Sequence, residues 1–305
     1  MKREPAAGHL LALFTILVWG TTFISTKLLL RAFAPAEVLF CRFLLGWLAL
    51  WLVRPRALPW LGWRKELTFA AAGLSGVTLY YLLENIALTC TQASNVGFIV
   101  SASPFFIALL SLAAGQGERP GPAFFLGFAA AMGGICLITF GGGADVNLHP
   151  AGDLLALLAA GVWAVYSLLT RRLGSLGCDA VQTTRRTFGY GLLFMAPFLA
   201  ATGFHPDLSQ LRQPVYLGNL LFLGLCACAA CFVTWNLAVR RLGAMRAGAY
   251  IYLVPVITLA ASVLVLGERV PPLAGLGMAL TLAGLLLSEG RLPGRKKTVA
   301  ERGEM

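Results

Sequence analysis

Glu84–Pro120, ENIALTCTQASNVGFIVSASPFFIALLSLAAGQGERP, closes one apolar run, turns through a few polar residues and opens a second run with Pro104 in its middle. Trp235–Pro271, WNLAVRRLGAMRAGAYIYLVPVITLAASVLVLGERVP, repeats that plan. At one constant offset Asn85 falls on Asn236, Ala87 on Ala238, Gly97 on Gly248 and Pro104 on Pro255. After a single-residue gap, Glu118 falls on Glu268. Self-similarity at a fixed spacing marks a duplicated structural unit.

The duplication continues outward. Gly8-His9-Leu10-Leu11-Ala12-Leu13 matches Gly152-Asp153-Leu154-Leu155-Ala156-Leu157, and Trp19 then falls on Trp163, Lys27 on Arg171 and Arg42 on Arg186. Gly127 and Gly134 fall on Gly277 and Gly284. The chain therefore reads as two halves, 8–143 and 148–290, divided at Gly141-Gly142-Gly143 and followed by a basic tail, 291–305.

Of 305 residues 58% are hydrophobic and 12% charged, outside the range of water-soluble domains. Apolar runs of about twenty residues recur too often for a soluble core and match the thickness of a bilayer. They are predicted near 10–30, 36–53, 67–89, 93–114, 122–141, 151–170, 180–202, 214–239, 243–266 and 272–289, which makes an all-α membrane protein of ten transmembrane helices. The first run is too long for the apolar part of a secretory leader and has no small-residue cleavage site after it. Five spans per half is an odd number, so consecutive copies enter the bilayer from opposite sides as inverted repeats, an arrangement typical of secondary transporters.

The net charge of +11 lies in short loops and the tail, not on a soluble domain, which argues against a nucleic-acid partner. With the N-terminus inside, the inner segments carry 17 Lys and Arg and the outer loops 3, placing both termini in the cytoplasm of an inner-membrane protein. Seven cysteines at irregular spacing form no disulfide frame. Cys226, Cys228 and Cys231 share an apolar helix without His or acid, so no metal is expected there. The three histidines lie at helix ends or in loops, and the glycine triplet lacks the Lys-Ser/Thr of a phosphate loop. Enzyme chemistry and ATP-driven pumping therefore have no residues to carry them, and no cofactor is expected.

Ionisable groups inside spans are costly unless paired or hydrated, which makes each a functional candidate. Lys27, Glu84 and Arg42 are each predicted roughly 5–9 Å below the outer surface. They can form an outer gate in which Glu84 exchanges a proton, or a structural ion pair with Lys27 snorkelling to the headgroups. Arg171, Arg185 and Arg186 lie by symmetry at the inner mouth. Trp235 occupies the position of a second Glu84, so no acid of the repeat neutralises them. They make either a basic vestibule that concentrates anionic solutes or the ordinary positive-inside bias. Pro104 and Pro255 fall near mid-span and free the carbonyls of Val100 and Ile251. Ser101, Ser103, Tyr250 and Tyr252 are close to them in sequence. Tyr80 and Glu84 share a helical face, while Asn85 and Asn236 are amides that need partners in apolar helices. Glu118 and Glu268 precede proline-marked helix starts, where an acid offsets the helix dipole.

With Trp19-Gly20, Phe23, Arg42, Asn85-x-Ala87-Leu88, Gln92-Ala93-Ser94, Pro104, Glu118 and the second copy around Trp163, Asn236-x-Ala238, Pro255 and Gly267-Glu268, the chain resembles the EamA-type branch of the drug/metabolite transporter superfamily over about residues 8–290. The resemblance implies two antiparallel five-helix repeats around a central cavity lined by helices 1, 3, 4, 6, 8 and 9. It also implies transport of small metabolites, with export of amino acids frequent among such proteins. The expected cavity residues are Trp19, Tyr80, Glu84, Asn85, Ser101, Pro104, Trp163, Asn236, Tyr252 and Pro255, with Lys27 and Arg42 tuning Glu84. The expected partners are a small polar solute, protons and the bilayer. An uncoupled permease and an integral-membrane enzyme are the alternative readings.

Overall fold

The computed structural model describes residues 5–90, 93–115, 120–140, 150–266 and 272–288. Every regular element among them is helical: α1 (Pro5–Leu29), α2 (Pro35–Val53), α3 (Trp63–Gly73), α4 (Tyr80–Cys90), α5 (Ala93–Val100), α6 (Ser103–Ala113), α7 (Pro122–Phe140), α8 (Pro150–Ser175), α9 (Ala180–Thr202), α10 (Pro214–Leu221), α11 (Cys231–Leu242), α12 (Ala244–Ala249), α13 (Leu253–Leu266) and α14 (Pro272–Ser288). A π-helical stretch, Leu74–Leu79, joins α3 to α4, and another, Phe222–Ala230, joins α10 to α11. Among the described residues six stretches are long and apolar enough to cross a membrane: Ala6–Thr26, Pro35–Val53, Trp63–Cys90, Val96–Ala113, Pro150–Ser175 and Pro214–Leu242. Three shorter apolar helices accompany them. In hydrocarbon every backbone N–H and C=O must be satisfied within the protein, and helices do this locally. The chain is a multi-pass membrane protein.

Prolines set the helix starts because the first-turn N–H needs no intrahelical partner. Pro35 opens α2, where the Glu37 carboxylate accepts from the Ala34 N–H at 2.8 Å. The run expected as one helix over 93–114 is instead broken at Ser101–Ala102, between α5 and α6. Pro104 cannot donate to Val100, and the Ser103 hydroxyl donates to that carbonyl instead, at 2.6 Å. The Ser101 hydroxyl donates to the Gly97 carbonyl at 2.7 Å. Ahead of Pro255 the helix tightens into a 3-10 turn, Tyr250–Tyr252. Glu118, Glu268, Gly141–Gly143 and His149 lie outside the described residues.

The two halves pack in a reciprocal pattern. α1 lies against α11 and α13, and α8 lies against α4 and α6. α2 packs on the Phe222–Ala230 stretch, while its counterpart α9 packs on Leu74–Leu79. α7 and α14 form the most extensive helix pair, joined by glycines. A Cβ on Gly127 would sit 2.6 Å from the Gly284 carbonyl oxygen, and one on Gly134 would sit 2.5 Å from that of Gly277. Pairing 127 with 284 and 134 with 277 means that the two helices run antiparallel. Absence of side chains lets the backbones touch, the usual device where packing, not water exclusion, drives helix association.

Candidate functional site

Where the halves meet, the core is aromatic. Trp19 and Trp163, counterparts in the repeat, meet edge-to-face at 5.3 Å between ring centroids. Trp235 closes the group, 5.3 Å from Trp19 and 5.9 Å from Trp163. Tyr80 lies 4.8 Å from Trp163, and Phe232 lies 5.7 Å from Trp19. The indole N–H of Trp19 donates to the Ala227 carbonyl at 3.0 Å. By contrast, the indole nitrogens of Trp163 and Trp235 are buried with no hydrogen-bond partner among the described residues.

Glu84 lies one turn after Tyr80 on the same helix, next to this group. Glu84 is 7% exposed, and its Oε2 has no hydrogen-bond partner among the described residues. Arg42, also buried, is near enough to act electrostatically on Glu84. Its direct contacts are elsewhere, however. The Arg42 Nε donates to Cys228 Sγ at 3.2 Å, and the guanidinium lies over the Tyr81 ring at 4.6 Å. Glu84 and Arg42 of the expected outer cluster are both buried but form no ion pair with each other among the described residues, while the Lys27 side chain lies outside them. Buried polar atoms are normally paired, so the unpaired Glu84 acceptor and the two unpaired indole donors are groups left over for a polar ligand.

Other expected cavity residues go into the framework. The Asn236 side chain accepts from the Tyr166 hydroxyl at 3.0 Å and donates to Thr184 Oγ1 at 2.8 Å. Asn85 donates to the Pro35 carbonyl at 3.3 Å. Both amides therefore cross-link helices. Ser101 bonds within its own helix, Pro104 is buried and Pro255 half-buried at their helix starts. Tyr252 is buried against Phe128 at 6.4 Å, with no partner for its hydroxyl among the described residues.

The expected unneutralised charge is corrected at Arg186. Glu66, from the first half, accepts from Arg186 Nη1 at 2.6 Å and from the Tyr190 hydroxyl at 2.8 Å. Arg186 also donates to the carbonyls of Leu58 and Pro59, and Arg185 to those of Arg54 and Arg56. The Arg185 guanidinium lies over Trp51 at 3.6 Å. These arginines are occupied in clamping the α2–α3 connection, and Arg171 stands half-buried near the end of α8. The neutralising acid does not stand at the repeat position of Glu84; the pairing crosses from residues 8–143 to residues 148–290. The residues that sequence reasoning left out are Trp235, Cys228, Tyr166, Thr184 and Glu66. Only Trp235 carried a signal, since it stands at the repeat position of Glu84.

The described residues are all helical or connecting, cross the membrane several times and bury an acid next to an aromatic core. The chain belongs to the EamA-like transporter family, whose model matches residues 6–140 and again 150–289. The chain is a transporter of the drug/metabolite superfamily, not an enzyme. A transporter of Archaeoglobus fulgidus described only as uncharacterized is 30% identical over 93% of this chain and 97% of its own length. A protein of Streptantibioticus cattleyicolor named as a probable terminal-alkyne amino-acid exporter is 30% identical over 99% of both chains. The uncharacterized transporter YwfM of Bacillus subtilis is 29% identical over 98% of this chain and 99% of its own. A solved crystal structure superposes with a TM-score of 0.75 at 21% identity, covering 93% of this chain and 98% of that one, a likeness of fold alone.

Proposed function

We propose that the chain is a secondary carrier of the inner membrane that exports small amino-acid-like solutes by alternating access. The observations that carry this reading are the buried, unpartnered Glu84 Oε2, one turn from Tyr80, and the unpartnered indole N–H groups of Trp163 and Trp235 in the aromatic core that Tyr80 joins. An acceptor that holds an ammonium group and two donors that hold a carboxylate suit a zwitterion. The 30% identical relative named as a probable amino-acid exporter supports the same class.

In this reading ten spans form two inverted five-helix repeats, 8–143 and 148–290, with both termini in the cytoplasm. The reciprocal glycine pairs of α7 and α14 and the meeting of Trp19 with its own counterpart support the inversion. The 17-to-3 distribution of Lys and Arg supports the orientation. Glu84 exchanges a proton as solute binds and leaves, coupling transport to the pH gradient.

The test is uptake of neutral amino acids into proteoliposomes with and without a pH gradient. Accumulation above equilibrium that disappears in Glu84→Gln is the expected result. Equilibration that ignores the gradient would replace this reading with an uncoupled permease.

A further inference from the structure

We propose that the connection between α2 and α3, residues 54–65, is a rigid docking platform for anionic phospholipid headgroups. Trp60 and Trp63 stand 64% and 68% exposed, with ring centroids 6.3 Å apart. Arg54, Arg56, Arg64 and Lys65 flank them, all exposed, and their side chains make no hydrogen bond or ion pair among the described residues. A span-length helix begins at Trp63, so these residues lie where the bilayer surface must be. Indole rings favour that interface, having an apolar body and one N–H. Four unneutralised cations beside them select negative lipid.

The clamp from α9 makes the segment a platform and not a floppy loop. Arg185 and Gln182 both donate to the Arg56 carbonyl, at 2.6 and 2.7 Å, and Arg186 donates to that of Pro59 at 3.0 Å. With its carbonyls held from within the protein, the segment keeps its cations directed to other partners. The repeat offers a comparison. The corresponding connection between α9 and α10, residues 203–213, carries one arginine, Arg212, together with Asp207 and no tryptophan. The platform is therefore a feature of one face of the protein and not of the fold.

The experiment reconstitutes the full chain in vesicles containing either brominated phosphatidylglycerol or brominated phosphatidylcholine at equal mole fraction. The emission assigned to the pair is the difference between the protein and its Trp60→Phe/Trp63→Phe variant. Several-fold stronger quenching of that emission by the anionic lipid is expected, falling to parity in Arg54→Gln/Arg56→Gln/Arg64→Gln/Lys65→Gln. Equal quenching by the two lipids overturns the proposal, as does a preference that survives the fourfold change. Inorganic phosphate, compared with sodium chloride at equal ionic strength, should leave the preference intact; its loss would mean that the cations bind a free ion and not a membrane. If the fourfold variant does not fold by circular dichroism, Arg54→Gln/Arg56→Gln and Arg64→Gln/Lys65→Gln are each expected to lose part of the preference, and full retention in both overturns it.

Discussion

Trp19 meets Trp163 edge-to-face at 5.3 Å, and each is the residue that the internal repeat aligns with the other. The contact therefore lies where the first part of the chain packs on the second. The pair is nonetheless unequal. Trp19 spends its N–H on the Ala227 carbonyl, and Trp163 has no partner for its own among the described residues.

That inequality separates structure from recognition. Trp163→Phe and Trp235→Phe lose ring volume and an unpaired donor but no hydrogen bond, so they should cost less stability than the same change at Trp19. Loss of a charged hydrogen bond of about 1.5–3 kcal/mol should raise KM for an amino-acid solute on the order of tenfold or more. Trp19→Phe should do the reverse, with stability falling by about 1 kcal/mol and KM held. Thermal unfolding in detergent and proteoliposome uptake read the two quantities.

Glu84→Gln keeps the size and most of the polarity of the side chain but removes its charge. Exchange of labelled solute across a vesicle at equal pH on both sides should persist, while pH-driven accumulation is lost. Glu84→Asp should retain accumulation at a reduced rate. Equal accumulation in wild type and Glu84→Gln would assign the coupling to another group.

Glu66 receives Arg186 and Tyr190 while almost wholly buried, at 3% exposure. Glu66→Gln leaves the guanidinium facing a neutral amide and should lower stability by about 1.5–3 kcal/mol. Combining it with Arg186→Met should recover part of that loss, because the uncompensated charge is then gone. A double-mutant cycle on unfolding free energies measures the coupling.

Gly134 and Gly284 have no room for a side chain: a Cβ would lie 2.5 Å from the Gly277 carbonyl oxygen and 2.4 Å from the Ala131 nitrogen, respectively. Both obstacles are backbone and must move with their helices. Gly134→Val or Gly284→Val should destabilise by about 1–3 kcal/mol. Gly218, with open space around its Cβ position, is the control, and Gly218→Ala should be neutral in the same unfolding assay.

The duplication, the membrane class and the carbonyl freed by Pro104 were legible in the chain itself, because each follows from local rules, whereas the break at Ser101–Ala102 was not. Long apolar runs need a bilayer, and a proline in a span frees a carbonyl whichever neighbour satisfies it. Glu84 was legible as an ionisable group in an apolar helix, and Arg42 likewise. Trp235 was visible as a departure from the repeat, yet nothing local tied it to Trp19 and Trp163.

Asn85 and Asn236 show where such reasoning stops. Their need for partners was evident, but whether a solute or Tyr166, Thr184 and Pro35 would supply them depends on which helices become neighbours. The same holds for Arg186, whose acid is 120 residues away in the other half. Sequence alone determined what each segment requires: a bilayer around it, a partner for each buried amide, a counter-charge for each buried ion. Tertiary structure alone decided who meets each requirement, because contacts between halves are set by packing in three dimensions and leave no periodicity along the chain.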